Sequence, residues 1–302
     1  MINSVASGSS LFDSEEFKKA QRQSWNNAAA GWQEWWNIFE NGATTVSNKL
    51  VELAEIEADH IILDLATGTG EPAITAAKKL MGSQGHVLAT DISPRMLAIA
   101  KQRAAALGLQ DKVEFRESDA ELLEISRSSF NAVLCRWGLM YFPHLETTLA
   151  LIFGGLMSSG RFACAVWAYP SKVPLISFPM GVVMRELNIP ALPPGLPGPF
   201  ALADIGILEN ALTKAGFKNV QIEQLPVIFR FDSVQDFISY TKATAAPIKF
   251  ILDKESETRQ EEIWNKISNE VLNNYANQGN NAVTMNNECI CVVGTKKELI
   301  ID

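Results

Sequence analysis

The sequence predicts an α/β protein built on a seven-stranded, mostly parallel sheet with helices on both faces. Three observations carry that reading. From His60 to Gly160 short apolar runs alternate with helix-like segments, the order in which parallel strands alternate with crossover helices. Two further strand-like runs, at 219–230 and 288–295, bring the count to seven. A glycine-bearing turn joins the first strand directly to the next helix, the junction at which such sheets meet nucleotides.

Taken in order, HIILDL (60–65) is the first strand, and EPAITAAKKLM (71–81) a helix with Pro72 in its first turn and Gly82 just past its end. HVLATD (86–91) is the second strand. Ser93 supplies an N-cap oxygen, Pro94 suits the first helical position, and Met96, Ala100, Ala104 and Leu107 recur on one face until Gly108 stops the helix. VEFRE (113–117) and FNAVLC (130–135) are strands, a helix runs from about Glu146 to Met157, and RFACAVW (161–167) is the fifth strand. A helix is expected within 203–217, before the last two strands.

Two segments interrupt this order. The first, at about 173–200, ends in PALPPGLPGPF (190–200), too proline-dense for a helix and expected as an extended loop. The second, 233–278, is amphipathic and helical. Both are expected as lid insertions in a domain spanning 51–302, preceded by a flexible tail (1–20) and aromatic cap helices (21–50).

Composition narrows the function. A chain of 302 residues, 47% hydrophobic and 20% charged, can bury a large core. A formal net charge of -8 and the lack of any Lys/Arg-rich run leave no footprint for nucleic acid or an anionic membrane. The opening residues have no cationic stretch followed by an apolar core, so they are expected to form a polar tail rather than a signal peptide. No apolar run reaches membrane-spanning length, and a soluble, cytoplasmic protein is expected. Cys135, Cys164, Cys289 and Cys291 all fall in apolar runs without CxxC spacing or a histidine cluster, so buried free thiols are expected and no metal site.

The chemistry concentrates in LDLATGTGEPA (63–73). Gly68 and Gly70 permit positive φ and let the main chain come close to a ligand, while the following helix aims free N–H groups into the turn. Asp91 closes the second strand 21 positions after Gly70, where a carboxylate of a doubly wound sheet reaches the two hydroxyls of a ribose.

With these residues in place, the chain resembles the class I S-adenosylmethionine (SAM)-dependent methyltransferases, particularly the ubiquinone/menaquinone C-methyltransferase-like subgroup, over roughly residues 20–300. The resemblance implies a Rossmann-like sheet whose last strand is inserted antiparallel, and SAM as cofactor. It implies that Asp64, Ala66, Thr67, Gly68 and Gly70 hold the methionine half, that Asp91 and Ile92 read ribose and adenine, and that Met96 walls the adenine. It further assigns Asp119 and Ala120 to the adenine amino group, and Cys135 and Arg136 to the methionine moiety and the acceptor side. Ala66 departs from the glycine usual in the family. QSWNNAAAGWQEWWNIF (23–39) resembles the subgroup's leading helices, which fold over the cofactor, with Trp25 and Trp36 as pocket residues.

A small, largely apolar acceptor, aromatic or quinone-like, is expected, with Phe178, Met180, Met184, Phe200, Phe237, Tyr240 and Phe250 of the two insertions as its lining. Candidate catalytic side chains are His144, Tyr141 and Arg136, all following the fourth strand or at its end; His60 and His86 belong to the opposite sheet edge. Two other readings stay open. Gly68, Gly70 and Ala73 also satisfy the GxGxxA pattern of an NAD-dependent oxidoreductase, and the fold could serve a non-catalytic regulatory module.

Overall fold

The computed structural model describes residues 12–190 and 195–297. Its seven strands are β1 (Ile61–Leu65), β2 (His86–Asp91), β3 (Val113–Glu117), β4 (Phe130–Arg136), β5 (Leu156–Trp167), β6 (Lys218–Phe231) and β7 (Val283–Thr295). They form one sheet in the order β3-β2-β1-β4-β5-β7-β6. The first five pair in parallel, and β7 runs antiparallel to both β5 and β6. The fold class expected from the sequence is therefore observed. The strand order rules out a second mononucleotide-binding half, because β6 and β7 form an antiparallel pair instead.

The central strands are apolar on both faces because both are covered. Ile62, Leu63 and Leu65 of β1 are wholly buried, each stabilising the fold by roughly 1.5–3 kcal/mol. The cover consists of α2 (Trp36–Leu53), α3 (Ala73–Lys79), α4 (Pro94–Ala106), α5 (Leu145–Gly155) and α7 (Ile205–Lys214). Helix α4 starts as its sequence dictates, with Ser93 Oγ accepting from Met96 N at 3.2 Å and Pro94 in the first position. Strand order reverses between β1 and β4, so their carboxyl ends open a crevice, which is where the site lies.

Several boundaries differ from expectation. Helix α1 (Ser14–Glu34) begins well inside the segment expected to be a flexible tail. Asp13 Oδ1 caps it, accepting from Glu15 N and Glu16 N at 3.0 Å each; residues 1–11 lie outside the described residues. Pro72 occupies the cap position of α3 rather than its first turn, and the helix is only seven residues long. Leu107 is exposed, since α4 ends before it and Gly108 (φ 68°) turns the chain so that Leu109 enters the core instead. β5 and β7 both begin earlier than their apolar runs.

Helices occupy both interrupting segments: α6 (Pro174–Glu186) in the first, and α8 (Val234–Thr244), α9 (Ala246–Leu252) and α10 (Glu257–Asn274) in the second. Residues 191–194 of the proline-dense loop lie outside the described residues, and 195–200 are turns and bends. Helix α10 packs on α6 and α8, while α8 and α9 pack on α1. Gly31 of α1 meets the backbone of Ala243 so closely that no Cβ would fit. All four cysteines are buried and free. Among the described residues no helix is long and apolar enough to cross a membrane, and no cluster of His, Cys, Asp and Glu is arranged to hold a metal.

Candidate cofactor and acceptor site

One pocket lies over the carboxyl ends of β1, β2 and β4, with α1 forming its far wall. The turn after β1 forms its floor. Ala66 (φ 55°), Gly68 (φ 56°) and Gly70 (φ 106°) are left-handed there, and Thr67 N donates to Thr90 O at 2.9 Å. Ala66, Thr67 and Gly68 line the pocket. A Cβ built on Gly68 meets nothing within 4 Å, so that position opens onto free space where a side chain would displace a ligand. Gly70 has another role and does not line the pocket. A Cβ there would come within 2.8 Å of Ile74 Cδ1 and 3.2 Å of Ala100 Cβ, so this glycine lets α3 and α4 close together.

Asp64 lies beneath the floor, not in the wall. It is fully buried, its Oδ2 accepts from Ala73 N at 3.0 Å, and its Oδ1 has no hydrogen-bond partner among the described residues. Burial pushes its carboxyl up to about 7. The residue braces the start of α3 and, contrary to expectation, is not part of the pocket lining.

Asp91 does line the pocket. Its Oδ2 accepts from Gly68 N and its Oδ1 from Ser93 N, both at 2.8 Å, so one carboxylate ties the turn to the start of α4. Burial raises it to about 6. Each oxygen keeps a second lone pair for a ligand hydroxyl. Ile92 and Met96 stand beside it in the wall, with Asp119 and Ala120. Asp119 Oδ1 accepts from Glu121 N at 2.9 Å, and Oδ2 pairs with Lys18 Nζ of α1 at 2.9 Å.

Among the remaining expected residues, Arg136, Tyr141 and Trp25 line the pocket. Cys135 does not; it is wholly buried, and burial pushes its thiol up to about 12. Trp36 does not either, because the Arg103 guanidinium stacks over its ring at 3.2 Å while pairing with Glu71 at 3.2 Å. His144 falls outside the wall. Its backbone N–H donates to Glu121 Oε1 at 2.6 Å as α5 begins, and its Nε2 lies 3.1 Å from Ser14 Oγ. Burial raises the Tyr141 phenol above its ordinary value, so it stays protonated.

The expected lining from the two insertions is also corrected. Phe237 and Tyr240 are buried against Phe231, Phe178 packs edge-on to Tyr275, and Phe250 is exposed; none of the seven enters the wall. The aromatic wall comes from elsewhere. Tyr141 meets Trp25 at 5.8 Å between centroids, Trp25 meets Trp32 at 6.3 Å, Trp32 meets Phe39 at 4.7 Å, and Phe39 meets Trp137 at 5.5 Å. Trp167 stacks behind Trp137 at 4.3 Å.

Residues 56–176 match a family described as a methyltransferase domain. That stretch, about two fifths of the chain, is similar to a methyltransferase domain. Among curated relatives the chain is similar to the ubiquinone/menaquinone biosynthesis C-methyltransferase UbiE of Bradyrhizobium sp., 38% identical over 108 residues, covering 36% of this chain and 42% of that one. The UbiE of Brucella canis is 37% identical over 102 residues, covering 34% and 38%. The matched stretch thus spans only about two fifths of these relatives.

Solved structures resemble the fold over much more of the chain. The YcgJ protein of Bacillus subtilis superposes with a TM-score of 0.56 at 15% identity, covering 84% of this chain and 99% of that one. A phosphoethanolamine N-methyltransferase 2 of Haemonchus contortus, in complex with S-adenosyl-L-methionine, superposes with a TM-score of 0.58 at 17% identity, covering 93% and 60%. At such identities the likeness speaks for the fold.

The stretch matched as a methyltransferase domain supplies the floor and the side lined by Asp91, Ile92 and Met96, while Lys18, Trp25, Trp32 and Phe39 come from helices before it. Lys18, Phe39 and Trp137 were not foreseen. Lys18 had a readable signal, since Asp13 followed three residues later by Glu16 is a helix-start pattern. The chemistry present fits SAM: an open glycine position, a two-oxygen acceptor at the end of β2, apolar Ile92 and Met96 beside it, and an aromatic wall across from the turn.

Proposed function

We propose that this chain transfers the methyl group of SAM to a small, apolar, quinone-like aromatic acceptor. The observation that carries the reading is that the glycine turn, Asp91 and the ring series from Tyr141 to Trp137 all face one pocket. When bound, SAM supplies a methyl already activated on a cationic sulfonium, so the protein's task is alignment and exclusion of water. Ala66–Gly68 and Asp91 hold the cofactor at the strand ends. Trp25, Trp32, Phe39 and Trp137 offer flat apolar surface against which a planar acceptor is oriented and dried.

The charged lining carboxylates are already engaged: Lys18 holds Asp119 and Glu121, Arg103 holds Glu71, and Asp91 accepts from Gly68 N and Ser93 N. The Tyr141 phenol is kept neutral, Arg136 is locked in an ion pair, and His144 stands outside. An electron-rich oxygenated ring would need the least help, because its carbon supplies the electron pair for the new C–C bond and the ring proton displaced there can leave afterwards to water or to a lining carboxylate such as Asp91. This agrees in kind with the names of the UbiE relatives. A cytoplasmic setting stays part of the proposal.

The test is methyl-labelled SAM offered with panels of hydroquinones, phenols, amines and thiols, read by mass. Label on an oxygenated aromatic ring is expected. Label only on amines or thiols, or no SAM binding by calorimetry, would overturn the reading.

A further inference from the structure

Helix α2 carries Glu40 to Arg136, 96 positions away and outside the methyltransferase domain match. Arg136 Nη1 donates to Glu40 Oε2 at 3.1 Å and to Ser47 Oγ at 2.8 Å, and Nη2 donates to Glu40 Oε1 at 2.5 Å. The side chains are only 6% and 11% exposed. Burial works against the guanidinium's charge, but the Glu40 carboxylate outweighs it and holds the group above its ordinary range. Arg136 is thus a permanent cation in the wall shared by Ala66–Gly68, with its guanidinium carbon 5.1 Å from the Trp137 ring centroid.

A fixed cation is a poor neighbour for a sulfonium. Two like unit charges about 7 Å apart, at an effective dielectric of about 20, weaken association by roughly fiftyfold. The other nearby carboxylates are engaged elsewhere. Glu71 pairs with Arg103 at 3.2 Å, Asp64 is buried beneath the floor with its carboxyl raised to about 7, and Asp91 is tied to Gly68 and Ser93. Only Glu40 sits directly on Arg136 among the described residues.

We infer that Glu40 sets the relative affinity of this pocket for the cationic cofactor and for its neutral demethylated product, S-adenosylhomocysteine, by cancelling the charge of Arg136. The inference rests on the SAM reading above. Glu40 is a positioning and charge-balancing residue that acts through Arg136. It lets the wall keep a rigid guanidinium, held against Phe39 and Trp137, without repelling the methyl donor.

Calorimetry with SAM and with S-adenosylhomocysteine on the wild-type chain, Glu40→Gln, Arg136→Gln and the double variant tests this, with circular dichroism reporting folding. The ratio of SAM to product affinity should fall about tenfold or more in Glu40→Gln, rise by a similar factor in Arg136→Gln, and return to within about threefold of wild type in the double variant. A merely structural pair, or an Arg136 that reads the methionine carboxylate common to both ligands, would weaken both alike. An unchanged ratio in all folded variants would therefore overturn the inference alone. Should Glu40→Gln not fold, an Arg136→Gln ratio equal to wild type still overturns it. Failure of folded wild-type protein to bind either ligand overturns the cofactor reading, and this inference with it.

Discussion

The Cβ of Ala66 stands 2.5 Å from where a Cβ on Gly138 would be built. Ala66 holds a left-handed backbone (φ 55°) at the position where the resembling family carries glycine, which costs about 1 kcal/mol for a residue with a side chain. The chain beyond β4 accommodates that methyl by having none of its own at Gly138. The two positions are therefore coupled. Gly138→Ala should destabilise the fold by about 1–3 kcal/mol, and Ala66→Gly should be nearly neutral, since relief of strain is offset by a freer unfolded chain. The double variant should recover part of the loss; Cys135 Sγ, 2.9 Å from the same built Cβ, prevents full recovery. Denaturant titration of the four proteins reads the coupling, and strict additivity would show the contact to be unimportant.

Asp91 should matter to both ligand and turn. Its carboxylate receives Gly68 N and Ser93 N and keeps capacity for the ribose. Asp91→Ala should lower SAM affinity by roughly ten- to a hundredfold, the loss of a charge-assisted contact. Asp91→Asn, which retains one acceptor oxygen, should lose less. Equal affinity in wild type and Asp91→Ala would remove the residue from the cofactor site.

Gly68→Val separates binding from folding. Space exists for the added atoms, so the sheet should form at a cost of about 1–2 kcal/mol for a β-branched residue at φ 56°. The side chain then stands where the ligand passes. Calorimetry should detect no SAM binding by a protein whose circular dichroism is unchanged; normal binding would mean that the turn faces elsewhere.

Asp64 predicts a pH dependence of stability. Burial raises its folded carboxyl to about 7 from an ordinary 3.8, so between those values the native state holds a proton that the unfolded state has released. Stability from this group is therefore full below about pH 4, falls as pH rises, and levels off above about pH 7, a total on the order of a few kcal/mol. Asp64→Asn still offers an oxygen to Ala73 N and should flatten that decline. Parallel slopes for the two proteins across pH 4 to 7 would place the titration in another group.

Helix α1, rather than the two insertions, should respond to ligand. Its N-terminal half is held over the pocket by Lys18 on Asp119 and Glu121, by Arg22 on Glu117 and by Asn26 on Ser93, while its other end is packed on Ala243. Hydrogen exchange should slow in residues 14–26 when SAM is added and quicken in Lys18→Ala. Protection confined to α8–α10 would return the role of cover to the insertions.

Much of this molecule was legible before any contact was known. The β1 turn and α3, the β2 end at Asp91, and the Ser93–Pro94 start of α4 follow from local rules: buried apolar runs, glycine at positive φ, and capping oxygens. Their roles were less legible. Gly68 and Gly70 look alike in sequence, yet one opens onto the pocket and the other seats two helices together. Trp25 and Trp36 belong to one tryptophan-rich stretch, but the break between α1 and α2 at Trp35 sends them to different neighbours, and the Arg103 guanidinium covers Trp36.

By itself the sequence determined the seven strands, most of the helices between them and the glycine turn after β1, because dihedral preference and hydrophobic period act over a few residues. Only the tertiary structure decided that Glu40 meets Arg136, that Lys18 reaches Asp119, and that Phe39 and Trp137 wall the pocket while Phe237 and Tyr240 of the insertions pack against Phe231 of the sheet. Those contacts join positions dozens of residues apart. They are set by strand order and by how helices cross the sheet, which no local pattern encodes.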